Sequence, residues 1–214
     1  VPLFIDAEDS WIQKTIDRLC ENMMVQYNTE KVIIYTTLQF YRWDRLDYLK
    51  YLHNKAKDND CKIGVKLVRG AYMEKERERS NDMGYKDPIQ SSKEATDNDY
   101  NLALKYCVEN LEDISICAGT HNEDSSQFLA DLMRKNGVDK TDKRIYFAQL
   151  LGMSDHISFN LSSEKYNVAK YVPYGPIKEV LPYLIRRAEE NTSVAGQTSR
   201  ELSLIQKEIR RRRG

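Results

Sequence analysis

The chain lacks most of the signatures that would mark a nucleotide-binding or metal enzyme. It contains no G-x-G-x-x-G fingerprint, no P-loop and no G-x-S-x-G elbow, which argues against a nicotinamide or flavin bound in Rossmann fashion. Its three histidines, His53, His121 and His156, leave none to spare and are too scattered for a three-histidine zinc site, and no H-E-x-x-H occurs. The four cysteines, Cys20, Cys61, Cys107 and Cys117, include no C-x-x-C pair. Zinc-knuckle and redox-motif readings therefore fall away, and the thiols are expected to be reduced and buried in an intracellular protein. Neither sign of charge is in excess, with 33 Lys+Arg against 33 Asp+Glu; a nucleic-acid partner, which calls for a basic surplus, is not expected. No apolar run approaches the ~20 residues of a membrane span, and there is no secretory leader pattern.

What is present is a rhythm. Short β-branched runs at 3–5, 32–37, 63–68, 114–118, 145–150 and 168–172 alternate with stretches of helical spacing. Ile12, Ile16, Leu19, Cys20 and Met23 mark one helix and its core-facing side. Leu49, Leu52 and Ala56 mark a second, with His53 packed among them. Tyr100, Ala103, Leu104, Cys107, Val108 and Leu111 mark a third. Phe128, Leu129, Leu132 and Met133 mark a fourth, stopped by Gly137. Strand-then-helix alternation predicts an α/β fold with a parallel sheet. Two architectures meet that description, an open doubly wound sheet and a closed (β/α)8 barrel. Polar residues follow every strand: Asp6, Gln39, Arg69, Thr120 with His121, Gln149 and Tyr171. A barrel gathers all strand ends at one mouth, whereas an open sheet binds ligands only at a switch point, so the pattern favours a TIM-like (β/α)8 barrel. About six βα units are visible, and the chain starts at Val1 and runs directly into a strand; the expectation is an incomplete barrel, truncated at its N-terminus, forming one domain over 1–214.

Three segments carry chemistry. In KEVLPYLIRRAEEN, Tyr183, Arg186 and Arg187 recur at i, i+3 and i+4, which puts them on one helix face. Two adjacent guanidinium groups call for an anion between them, and Arg grips a carboxylate bidentately; the alternative is a basic surface stripe. Pro182 either kinks that helix or begins a second one. In IGVKLVRGAYMEKER, Lys66 and Arg69 bracket a strand end and Gly70 permits a sharp turn; this reads as an anion or ring contact, or as an ion pair to a neighbouring strand. The segment 74–99, a charge run broken by Gly84 and Pro88, reads as an insertion that is either a solvated loop plus helix or an active-site lid. Arg210–Arg213 suits a helix C-terminus, or a peripheral membrane contact.

FIDAE, LQFY, VKLVRGAY, GTHNED, QLLGM, YVPYGP and YLIRR occur in that order. Together they resemble the motifs of the proline dehydrogenase family, eukaryotic-type branch, over almost the whole chain. The resemblance implies a (β/α)8 barrel that binds FAD without a Rossmann motif, oxidises L-proline to Δ1-pyrroline-5-carboxylate and passes electrons to quinone. It implies that Arg186 and Arg187 hold the substrate carboxylate with Tyr183 beside them. Asp6 would lie near the amine, and Tyr72, Leu150 and Tyr171 would enclose the ring. Gln39, Lys66, Arg69, Gly70, Thr120, His121 and Gln149 would contact the cofactor, and Glu190 its ribityl chain or an arginine. The family is mitochondrial in eukaryotes and cytoplasmic or membrane-peripheral in bacteria.

The chain departs from the family pattern in places. Lys66 stands where many members have Arg, and Met73 where many have Trp. The first two barrel strands and a pocket lysine of the family find no counterpart. Two other readings stand beside proline oxidation: a lyase or aldolase using Lys66 as an imine-forming base, and a non-catalytic fragment that binds small carboxylates or a partner chain.

Overall fold

The computed structural model describes residues 1–193, 206–207 and 209–213, with side chains of the last long helix described through residue 185. The chain divides into two units, Val1–Tyr171 and Val172–Gly214. The first holds β1 (Leu3–Ile5), α1 (Ser10–Tyr27), β2 (Ile34–Gln39), α2 (Arg45–Asp58), β3 (Ile63–Val68), α3 (Met73–Met83) and α4 (Lys93–Glu109). It continues with β4 (Ile114–Gly119), α5 (Glu123–Lys135), β5 (Ile145–Leu150), α6 (Asp155–Ser163) and β6 (Val168–Tyr171). The second unit contains α7 (Ile177–Ser193).

Every neighbouring pair of strands is parallel, and the sheet order is β1-β2-β3-β4-β5-β6. A doubly wound sheet must reverse its order somewhere to make a switch point; this one does not. The six strands form a curled half-barrel with alternating helices, an incomplete (β/α)8 barrel. Strand alternation separates two faces. Ile34, Leu38, Ile63, Val65, Leu67, Ile114, Ile116, Ala118, Ile145 and Phe147 face the helices and make the core with Leu49, Leu52, Tyr100, Leu104, Cys107, Leu129 and Met133. Burying each large side chain stabilises the fold by about 1.5–3 kcal/mol. The residues between them in sequence face the concave side. All four cysteines are free and buried.

The expected face of α1 is only partly right. Cys20 is buried and Met23 packs against the core as expected, but Ile12 and Leu19 are 44% and 55% exposed, while Gln13, Asp17, Glu21 and Met24 are buried. The polar residues go inward because α2 presents partners for them. Arg45 Nη1 lies 2.8 Å from Asp17 Oδ2, and Gln13 Nε2 donates to Asp17 Oδ1 at 2.8 Å. Tyr48 Oη donates to Glu21 Oε1 at 2.8 Å, and Lys55 Nζ reaches Glu21 Oε2 at 2.7 Å. The two sets share Cys20 and both recur at helical spacing, so apolarity alone set the buried face partly off its true position. His53 is packed as expected, with Tyr106 Oη 2.8 Å from Nδ1 and Asp113 Oδ2 3.1 Å from Nε2.

The 74–99 segment is a helix, a strap and the start of the crossover helix. Gly84 ends α3 in the left-handed region. Glu76 of α3 is fully buried and accepts from Ser10 N and Ser10 Oγ, both at 2.6 Å. It therefore caps α1, whose own N-cap Asp9 makes no side-chain cap bond. The strap pairs Ile89 with Arg42, and Asp87 O accepts from Trp43 Nε1 at 2.9 Å. In the second unit, α7 continues through Pro182 as one helix, so no second helix begins there.

Candidate active site

Strand register decides which polar residues meet. Thr37 pairs with Lys66, Lys66 with Cys117 and Cys117 with Tyr146. Residues level with one another in a parallel sheet share a face, so these four lie in one row on the concave side. Asp6, one step past the Ile5–Thr36 pair, joins the row at β1. Lys66 Nζ sits 2.5 Å from Asp6 Oδ1, and Thr37 Oγ1 donates to the same oxygen at 3.2 Å. The ammonium also faces the Tyr171 ring at 5.2 Å from its centroid. One lysine of β3 thus reaches the end of β1 on one side and of β6 on the other, which the curl of the sheet makes possible. Burial pushes the Cys117 thiol up to about 11, against the lowering effect of Lys66.

The next row toward the mouth is small. Gly119, Ala148 and Ala169 are in register on β4, β5 and β6. Gln39 occupies the corresponding level at the end of β2, opposite Val68, and is buried. Leu150 and Tyr171 pair above them. The half-barrel therefore has a floor of small residues, a charged pair below it and an apolar-aromatic rim above.

Arg69 and Gly70 serve a different side. Arg69 donates from Nε to Asp97 Oδ1 at 2.6 Å, from Nη1 to Thr120 Oγ1 at 2.7 Å and from Nη2 to Ser125 Oγ at 2.9 Å. Its guanidinium lies 4.4 Å from the Tyr100 ring centroid. The arginine fastens the β4–α5 turn to α4 from three directions, so Thr120 is positioned by it. Gly70 has φ +125°, and a Cβ there would lie 2.5 Å from Tyr41 Cδ1; only glycine meets both conditions. Tyr72 Oη reaches Glu8 Oε2 at 3.4 Å at the start of α3. Burial raises the Tyr41 and Tyr100 phenols well above the usual range.

Thr120 and His121 lead into α5. His121 Nδ1 lies 3.0 Å from Ser154 Oγ, and Ser154 adopts φ +49° to present that hydroxyl. Gln149 points away from the concave row: its Nε2 donates to Thr120 O at 3.3 Å and its Oε1 accepts from Ser158 Oγ at 2.9 Å. It ties β5 to the β4–α5 turn. Asp6, Lys66 and Tyr171 are thus brought together directly, and Arg69, Thr120 and Gln149 form a second linked set. Tyr183 lies half-buried on α7 of the second unit. Arg186, Arg187 and Glu190 fall on α7 outside the described side chains. Among the described residues, no group of His, Cys, Asp or Glu could hold a metal ion, and no helix is long and apolar enough to cross a membrane.

Sequence reasoning missed Thr37, Cys117 and Tyr146. The signal was available, because strand parity from Gln39 or Lys66 reaches Thr37, but the registers of β4 and β5 were not.

A family model for proline dehydrogenase matches residues 1–200. The chain is 43% identical over 215 residues to the human "Proline dehydrogenase 1, mitochondrial", covering 99% of this chain and 36% of that protein. The Drosophila melanogaster protein of the same name is 40% identical over 222 residues, covering 99% and 33%. The chain thus spans about a third of the length of these curated relatives. Among solved structures, Bdellovibrio bacteriovorus proline utilization A inactivated by N-propargylglycine superposes with a TM-score of 0.84 at 25% identity, over 91% of this chain and 20% of that one. Sequence motifs, strand order and both kinds of likeness converge: the chain belongs to the proline dehydrogenase family.

Proposed function

We propose that this chain forms the substrate- and cofactor-facing wall of an FAD-dependent enzyme that oxidises L-proline to Δ1-pyrroline-5-carboxylate, with electrons passing to quinone. The observation that carries the reading is the Asp6–Lys66–Tyr171 cluster at the C-terminal ends of three strands, where barrel active sites form. It supplies a carboxylate, an ammonium and an aromatic face beside one another, the groups a small cyclic amino acid requires.

The residues present fit FAD. The row of Gly119, Ala148 and Ala169 leaves space for a flat ring system, Lys66 offers a cation beside it, and Gln39 an amide. Gln39, Lys66, Gly70, Thr120, His121 and Gln149 are assigned to hold or frame the cofactor, with Arg69 acting through Thr120 and Glu190 assigned to it by residue type. When bound, FAD supplies the hydride acceptance that no side chain provides. The protein's part is orientation. Leu150, Tyr171 and Tyr72 enclose the substrate ring and exclude water. Asp6 faces the amine. Arg186 and Arg187, with Tyr183, are assigned to the carboxylate by residue chemistry, since paired guanidinium groups fix a carboxylate plane. Holding the donor carbon still is worth much of the barrier in a reaction of this kind.

The test is a visible spectrum of the purified chain, and of the longer protein that contains it, with added FAD, followed by anaerobic titration with L-proline. A bound-flavin band that bleaches on proline addition is expected of the longer protein. Retained flavin that proline never bleaches would refute the substrate assignment. Exposed Leu3 and Phe4 on the β1 edge, at 49% and 42%, favour a second reading for the isolated chain, a non-catalytic fragment that docks a partner. That reading predicts a colourless protein. Location would follow the source, mitochondrial in a eukaryote and cytoplasmic or membrane-peripheral in a bacterium.

A further inference from the structure

We propose that Lys170, on the helix side of β6, is a positioning residue that sets the ring-size selectivity of the pocket by fixing Leu150 opposite Tyr171. The inference rests on the proline-oxidising reading and deepens it. Leu150 and Tyr171 are in register at the ends of β5 and β6, so the gap between these two walls is set by where the strand ends are held. Tyr171 O accepts from Leu151 N at 3.0 Å, which joins the ends directly. Beyond that bond the β5–α6 turn adopts a conformation that local preference disfavours. Gly152 has φ +76°, and Ser154, which is not a glycine, has φ +49°. Such a residue costs about 1–3 kcal/mol and persists only where its surroundings hold it.

Lys170 supplies that hold. It precedes Tyr171 in the strand, so its side chain takes the opposite face, level with buried Gln149. Its Nζ donates to Met153 O at 2.9 Å and to Asp155 Oδ1 at 2.7 Å, and Leu150 O lies 3.5 Å away. An ammonium has three hydrogens to give, and three oxygens of this one turn surround it: at its entry, on its far side and on the first residue of α6. Leu150 O also accepts from Met153 N at 3.1 Å, so whatever fixes Met153 fixes the end of β5. Helix capping does not do this work, because Ser154 makes no side-chain cap bond to α6 and its hydroxyl meets His121 Nδ1 instead. The Asp155 carboxylate balances the charge, and the Lys170 side chain is only 23% exposed. Lys170 thus points away from the pocket and acts through Leu150. Removing the ammonium releases the turn and lets Leu150 move from Tyr171, which widens the gap for a larger ring.

The experiment compares cyclopentanecarboxylate with cyclohexanecarboxylate by calorimetry in the longer, flavin-loaded protein. The two acids carry the same charge and differ by one methylene, which a fitted apolar site distinguishes by about 10–200-fold. The ratio of their affinities is measured in the wild type, Lys170→Met, Leu150→Ala and the double variant. A general loss of affinity or stability cancels within each ratio. Lys170→Met keeps the stem and removes the charge, and is expected to move the ratio toward the larger ring by about fivefold or more. Leu150→Ala is expected to move it the same way, and the double variant no further than Leu150→Ala alone, since both act on one contact. Lys170→Gln keeps a donor and should fall between; it takes the place of Lys170→Met if that variant does not fold. A Lys170→Met ratio within about twofold of wild type, or additive shifts in the double variant, would overturn the inference. Provided L-proline still bleaches the flavin, that result leaves proline oxidation intact. An unmoved ratio in Leu150→Ala would remove Leu150 from the pocket wall and the inference with it. If L-proline never bleaches the flavin of the wild type, the functional reading falls first.

Discussion

Replacing Glu76 with alanine tests whether the segment after β3 is part of the scaffold or a mobile cover. Glu76 is fully buried and accepts two hydrogen bonds from Ser10, from its backbone N–H and from its hydroxyl, each at 2.6 Å. Hydrogen bonds to a charged group contribute about 1.5–3 kcal/mol each, but removing the acceptor also frees a buried carboxylate from its desolvation cost, so the net loss is set at about 3 kcal/mol. For a domain of this size that corresponds to a fall in Tm of about 6–12 °C. Glu76→Gln keeps one acceptor and should lose about half as much. Ser10→Ala added to Glu76→Ala should cost little more, since both act on one contact. Urea unfolding with a shared m-value measures all three. A loss below about 0.5 kcal/mol in Glu76→Ala would refute the reasoning and return α3 to the status of a detachable lid.

Four further outcomes follow from the same geometry. Gly70→Ala should cost more than about 2 kcal/mol, because it forces a Cβ onto the Tyr41 ring at a positive φ; an unfolding midpoint equal to wild type would contradict this. Leu67→Ala, at a fully buried core position, should cost about 2–5 kcal/mol by the same assay. Arg69→Lys should lower Tm, since Lys cannot serve Asp97, Thr120 and Ser125 at once; a thermal melt reads it. For Asp44, burial pushes the carboxyl up, but hydrogen bonds from Arg45 and Arg42 outweigh it and hold it below the ordinary 3.8. Its contribution is therefore present above about pH 4 and lost as pH falls below that, and Asp44→Asn should flatten this acid arm of a stability–pH profile.

Much of the barrel was legible from the chain. β3 and β5 fall where their apolar runs predict, because their helix-facing residues Ile63, Val65, Leu67, Ile145 and Phe147 are apolar and buried. β2 was placed two residues early, so Gln39 lies within the strand and not after it. The buried face of α1 was only partly placed, with Cys20 right and Ile12 and Leu19 wrong, since partners for Asp17 and Glu21 reside on another helix and leave no mark in the local pattern. Asp6 and Lys66 were each singled out, but 60 residues separate them and no spacing rule could pair them. The same holds for Glu76 and Ser10, 66 residues apart, which turned an apparent charge run into a buried cap. Register and long-range charge pairing are tertiary facts, and they account for most of what the sequence concealed.

The uninterrupted strand order carries a consequence for how the chain is made. Among the described residues, each strand hydrogen-bonds only to the strands immediately before and after it, so every new βα unit finds its docking partner already synthesised. Each pairing still closes a crossover of about 20 to 50 residues, as from Phe147 to Val168 or from Ile63 to Ile114, so it is slower than a hairpin even though it can proceed unit by unit. The interior strands are secured on both flanks, whereas β1 and β6 are each secured on one. Amide exchange should follow that gradient, slowest in β3 and β4 and fastest at the two margins. The Asp6–Lys66 ion pair straddles it, with Lys66 on an interior strand and Asp6 just beyond a margin, so the steadiness of the ion pair reports how firmly the first strand is held.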